Sequence, residues 1–179
     1  MSPPASGGVL VAGIGNIFLG DDGFGVETAR ALAARPRPDR AEVVDIGVRG
    51  VHLAYQLLDG YDTLILVDTT VRGEEPGTLY VLEPDTAGTG TPGAPLDGHR
   101  MTPDAVLALL GTLCAQTGGE PPRRTLVVGC EPASLDEGIG LSPQVSAAVP
   151  EAVRLIEEML WSDEPPEPEP TSAVPGTAT

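Results

Sequence analysis

Two adjacent carboxylates, Asp21 and Asp22, lie in the run Gly13-Ile14-Gly15-Asn16-Ile17-Phe18-Leu19-Gly20-Asp21-Asp22-Gly23-Phe24-Gly25. The apolar residues 9–12 lead into it as a buried strand, and residues 26–32 leave it as a helix. Neighbouring acids at a strand-to-helix turn repel each other, and the helix N-terminus offsets only part of that repulsion. A cation, a proton or a substrate group is expected beside them. Two further acids stand at strand ends: Asp45 within the end of strand two, and Asp68 closing Leu64-Ile65-Leu66-Val67. A carboxylate buried without a partner is costly, so Asp68 needs either a ligand or the backbone amides of a loop.

One of the two histidines, His99, falls in a long stretch rich in Pro, Gly, Thr and Asp, residues 84–102. Stretches longer than about 15 residues without structure of their own are uncommon in compact domains. Two carboxylates alone suit magnesium, and an added imidazole suits zinc or nickel. A solvated loop histidine and a loop-capping Asp68 are the plain alternatives, and the residues by themselves leave both open. His52 shares the polar stripe of the second helix with Gln56 and Asp59 and reads as surface.

The glycines also invite a nucleotide reading. Phe18, however, stands where the third glycine of a dinucleotide fingerprint belongs, and no Gly-Lys-Ser/Thr follows. Acids crowd the place a pyrophosphate would take, so no nucleotide is expected. There is no Gly-x-Ser-x-Gly elbow, and no Cys–His pair can be placed. Cys114 and Cys130 form no CxxC knuckle. Cys114 falls on an apolar helix face with Val106, Leu110 and Leu113 and reads as a reduced core thiol.

These residues need a scaffold, and the pattern supplies one. Apolar, β-rich runs at 8–12, 42–46, 63–67, 78–82 and 125–129 alternate with helical patterns at 24–34, 51–58 and 103–116. Ser142 and Pro143 suit the N-cap and first turn of a last helix that ends at Trp161. That helix is expected to kink or restart at Pro150. Non-alternating apolar strands between helices mean a mostly parallel sheet covered on both faces. The segment between strands three and four is too short for a parallel crossover, so strand four is expected to be antiparallel. Ligands of such sheets bind beyond the carboxyl ends of the strands, where the strand order reverses.

The chain has 179 residues, 41% of them hydrophobic, and carries a net charge of −16. That suits one domain over 8–161, with a flexible start at 1–7 and a disordered Pro- and Glu-rich tail at 162–179. A strongly acidic surface argues against a nucleic-acid partner. No run reaches the ~20 apolar residues of a membrane span, and no leader peptide is recognisable. A soluble, cytoplasmic monomer is expected.

The segment from Gly13 to Gly25 resembles the N-terminal signature of the hydrogenase maturation proteases, endopeptidases that trim the large subunit of nickel–iron hydrogenases. Asp45-Ile46-Gly47-Val48-Arg49-Gly50, Leu66-Val67-Asp68, Pro76-Gly77-Thr78, His99, Gly129-Cys130-Glu131-Pro132 and Gly140-Leu141-Ser142-Pro143 match in order. The resemblance covers about residues 8–161. It implies a three-layer α/β fold with a mixed five-stranded sheet in the order 2-1-3-5-4. It places the family's three metal-contacting positions on Asp22, Asp68 and His99. They would engage nickel already inserted in the large-subunit precursor, not a resident cofactor, while a C-terminal peptide is removed. Asp21, Asp45 and Asn16 are secondary candidates, the two acids for orienting a ligand or serving as base. The chain departs from the family where Ile46 and Val48 put bulk into the loop after strand two, which bears on the choice of substrate subunit. The rival functions are a non-catalytic chaperone or binding module for the large subunit, a nucleotide-binding regulator, and a related peptidase acting on another protein.

Overall fold

The computed structural model describes residues 7–84 and 103–162. The expected start at 1–7 and tail at 162–179 lie outside these residues apart from Gly7 and Ser162, and so do His99 and nearly all of the 84–102 stretch. Five strands form one sheet: β1 (Val9–Ile14), β2 (Ala41–Gly47), β3 (Thr63–Thr69), β4 (Leu79–Leu82) and β5 (Arg124–Cys130). Among the described residues four α-helices cover it: α1 (Phe24–Ala33), α2 (Gly50–Leu57), α3 (Pro103–Thr117) and α4 (Pro143–Trp161). The strand order is β2-β1-β3-β5-β4, and only β4 runs antiparallel to its neighbour. Order and direction agree with the expectations drawn from the short β3–β4 connection and from the family resemblance.

Alternation along each strand divides the core. In β1, Val9 and Val11 point to the face covered by α1 and α4, whereas Leu10, Ala12 and Ile14 point to α2 and α3. Both faces are filled, so the strands read as unbroken apolar runs rather than as alternating ones. Phe24 of α1 and Ile156 of α4 are fully buried on the first face, and Leu53 of α2 and Leu110 of α3 on the second. Each such side chain contributes about 1.5–3 kcal/mol by leaving water. Cys114 is a free, buried thiol beside Leu110, as its helix face implied. No helix among the described residues is long and apolar enough to cross a membrane.

The chain leaves β1 through α1 to β2 on one side, then returns through α2 to β3 on the other side of β1. The strand order therefore reverses between β1 and β3, and a crevice opens beyond their carboxyl ends. The Gly13–Gly25 run forms this corner. A Cβ at Gly25 would overlap the carbonyl oxygens of Val67 and Ile14, and one at Gly13 would overlap the carbonyl of Gly25. These glycines thus serve close packing of α1 on β1 and β3.

Asp21 holds the corner to the far loop. Its buried carboxylate accepts from the amides of Ala133 (2.8 Å), Ser134 (3.1 Å) and Ser142 (2.6 Å) and from the Ser142 hydroxyl (2.9 Å). Burial works against its charge, but these bonds outweigh burial and hold its carboxyl below the ordinary range. Ser142 does stand at the N-cap of α4, yet its side chain makes no cap bond and is given to Asp21 instead. Pro143 takes the first turn as expected, but the helix does not restart at Pro150; one helix runs through it to Trp161. Proline removes a single N–H, and apolar residues on both sides of it, Val145, Ala148, Ala152 and Val153, stay packed on the sheet.

Gly25→Ala should lower stability by about 3 kcal/mol or more through overpacking. Gly111→Ala, in open space on α3, should raise it by about 0.5–1 kcal/mol; chemical denaturation of both variants checks the contrast. Asp21→Ala should cost about 3 kcal/mol at neutral pH by leaving buried amides unpaired. Because the folded carboxyl is the stronger acid, its contribution is complete above the unfolded value of about 3.9 and is lost as pH falls through the folded one. The stability gap between wild type and Asp21→Ala should therefore shrink on acidification, measured by denaturation at a series of pH values.

Candidate active site

Asp22 and Asp68 meet at the switch point. Asp22 arrives from the turn after β1, in a short 3-10 segment at residues 20–23, and Asp68 is the penultimate residue of β3. The neighbouring Thr69 joins them. Its hydroxyl donates to Asp22 Oδ1 at 3.2 Å, and its amide donates to Asp68 Oδ1 at 2.8 Å. The other Asp22 oxygen, Oδ2, accepts the Asn16 amide at 2.7 Å. Asp22 is half-buried, whereas Asp68 is buried.

Burial holds the Asp68 carboxyl well above the ordinary carboxylate range, and the charge of Asp22 pushes it further the same way; the bonds from Thr69 only partly oppose this. Among the described residues no arginine or histidine pairs with either acid. Two carboxylates joined through Thr69 could supply part of an oxygen-rich cation site. They would also bind a proton or a substrate amide. No group of three or more metal-ligating side chains occurs among the described residues, and His99 lies outside them.

The secondary candidates have other partners. Asp21 is fully engaged by the 133–142 loop, as described above, and its lowered pKa makes it a poor proton acceptor. Asp45 accepts from Arg30 Nε at 3.1 Å. It leaves β2 on the α1 side, whereas Asp68, in line with Leu64 and Leu66, leaves β3 on the α2 side. The structure therefore does not bring Asp45 to the pair. Asn16 contributes its amide to Asp22, while its side-chain oxygen accepts the Phe18 amide at 2.9 Å and shapes the turn. Ile46, expected to add bulk to the loop after β2, is a core residue, but Val48 is exposed. His52 is exposed, as its polar stripe implied.

Two contributors were not picked out from the sequence. Thr69 was hidden because a threonine at a strand end is ordinary. Glu131 is buried and accepts from the amides of Arg72 (2.8 Å) and Gly73 (3.1 Å) and from the Tyr80 hydroxyl (2.9 Å). It thereby fixes the loop that follows Asp68; its position directly after an apolar strand was the available signal. Neither cysteine is a nucleophile in this setting. Cys130 is buried, and burial together with the charges of Asp21 and Glu131 pushes its thiol up to about 12. Cys114 is likewise raised by burial.

Comparison with known proteins agrees with this architecture. The family model for hydrogenase maturation proteases matches residues 26–159. The hydrogenase expression/formation protein HupD of Rhizobium leguminosarum bv. viciae is 32% identical over 164 residues, 90% of this chain and 78% of that protein. The hydrogenase 2 maturation protease of Escherichia coli K12 is 33% identical, over 83% of this chain and 87% of its own. The structure of the hydrogenase maturating endopeptidase HybD from E. coli superposes with a TM-score of 0.66 at 30% identity, covering 83% of this chain and 89% of that one. A hydrogenase 2 maturation peptidase from Thaumarchaeota archaeon SCGC_AB-539-E09 gives 0.65 at 30% identity, covering 86% and 98%. With three quarters of its length matched by the family model, and with these relatives covered over most of theirs, the chain belongs to the hydrogenase maturation protease family.

Proposed function

We propose that this endopeptidase removes a C-terminal peptide from the nickel-loaded large-subunit precursor of a nickel–iron hydrogenase, acting in the cytoplasm as a monomer. The observation that carries the reading is the Asp22–Asp68 pair: two acids held together by Thr69 at the switch point, without a cationic side chain among the described residues. Such a pair is costly alone and is relieved by a cation that arrives with the substrate. Asp22 and Asp68 would be two of the groups that engage the substrate's nickel, and His99 is proposed as the third.

A nickel ion held there supplies positive charge to polarise the scissile carbonyl or a water molecule. Hydrolysis then places the water's oxygen on the carbonyl carbon, breaks the carbon–nitrogen bond and delivers a proton to the departing amine. The buried thiols offer no covalent route, so direct attack by water is the simpler course. Asp22, half-exposed and anchored by two hydrogen bonds, is positioned to hold the ion's carrier in one orientation. Asp68 joins it once the ion offsets the repulsion between the two acids.

Asp22→Ala and Asp68→Ala should each leave the precursor with its extension intact, seen as an unchanged mass by mass spectrometry after incubation. Normal processing by both variants would sink the assignment. A non-cutting chaperone would leave the precursor mass unchanged even with the wild-type protein. Precursor prepared without nickel should stay uncut by the wild-type enzyme and should be cut when nickel is restored. Brisk cleavage of the nickel-free form would refute guidance by the metal.

A further inference from the structure

Single exposed apolar side chains are ordinary on a protein surface, but here they gather on one edge. Phe18, Val48, Val71 and Ile139 are 61, 58, 70 and 82% exposed. They stand in the loops that leave the carboxyl ends of β1, β2, β3 and β5, around the crevice that holds Asp22 and Asp68.

These positions are fixed in advance. The Gly138 amide donates to the Phe18 carbonyl, and the Gly20 amide donates to the Gly138 carbonyl, both at 2.9 Å; Leu19 and Gly138 form a parallel bridge. Phe18 and Ile139 thus ride on stitched backbone, anchored below by Asp21. Asn16 ties this ledge to the site, since it receives the Phe18 amide and gives its own to Asp22. On the other side of the pair, Val71 begins the loop that Glu131 holds through Arg72 and Gly73.

The same loops are acidic. Glu74, Glu75, Asp136 and Glu137 are exposed. The arginines nearby are engaged within the chain: Arg49 on the carbonyls of Asp45 and Ile46, and Arg72 over the Tyr80 ring at 5.4 Å. An apolar rim bordered by acids suits a partner whose apolar side chains are flanked by bases, and it repels an acidic one.

We infer that this rim docks the large-subunit precursor through a segment in which apolar residues are flanked by lysine or arginine. The inference rests on the function proposed above and adds the chemistry by which the precursor is recognised outside the carboxylate pair. Phe18, Val71 and Ile139 supply apolar contact, while Asp136, Glu137, Glu74 and Glu75 attract the basic flanks and speed encounter.

The test uses the full chain and nickel-loaded precursor. Because Phe18 and Ile139 are exposed, the double variant Phe18→Ser/Ile139→Ser should keep its melting temperature. Its KM should rise about tenfold or more with kcat little changed, as for loss of apolar contacts at an interface. Asp136→Asn/Glu137→Gln should raise KM at low salt and flatten its dependence on ionic strength. An unchanged KM for the serine variant would overturn the inference. So would a wild-type dimer in sedimentation that this variant converts to monomer without a change in KM, since the rim would then join two copies of the chain. Asp22→Ala run in parallel separates the two readings. If it is inactive and the serine variant is normal, only the docking surface falls. If it processes normally and the serine variant has a raised KM, only the carboxylate site falls.

Discussion

Mutual repulsion between Asp22 and Asp68 is the constraint around which the corner of this molecule is built. Two acids have been brought together where β1 and β3 end, and one of them is buried. Water cannot screen that charge as it would at the surface, so the surroundings must hold the carboxylates in place. Thr69 and the Asn16 amide do so by donation.

The scaffold resists that repulsion through close backbone packing. Gly13 and Gly25 let α1 lie directly against β1 and β3, which fixes the turn carrying Asp22 relative to the strand carrying Asp68. Asp21, the immediate neighbour of Asp22, is turned entirely inward and uses its charge to hold the 133–142 loop. Adjacent acids in one turn are therefore treated differently: Asp21 is held by four donors of a distant loop, whereas Asp22 accepts only from the Asn16 amide and the Thr69 hydroxyl. Glu131 repeats the first device for the loop after β3. The crevice is thus lined by loops held by buried carboxylates.

Membership in the hydrogenase maturation protease family gives this corner its chemical context. On the function proposed above, the metal would arrive on the substrate, and a complete resident ligand set would not be needed. Docking and relief of the Asp22–Asp68 repulsion would then coincide. The buried, weakly acidic thiols are consistent with hydrolysis that forms no covalent enzyme intermediate.

Strand and helix order, the antiparallel β4, the two-faced core and the places of Asp22 after β1 and Asp68 near the end of β3 were legible along the chain. They depend on local composition: apolar runs, breakers between them, and acids that end apolar strands. The roles of Asp21, Asp45, Ile46 and Thr69 were not legible. Asp21 and Asp22 are identical residues side by side, and only the approach of a loop more than a hundred positions away separates them. Asp45 looks like Asp68 in sequence, yet it pairs with Arg30 because the two leave opposite faces of the sheet. Side-chain direction, burial and the nearest donor are set when distant segments pack, so the sequence by itself determined which groups were available, and tertiary structure alone decided which of them the protein consumed and which it left open.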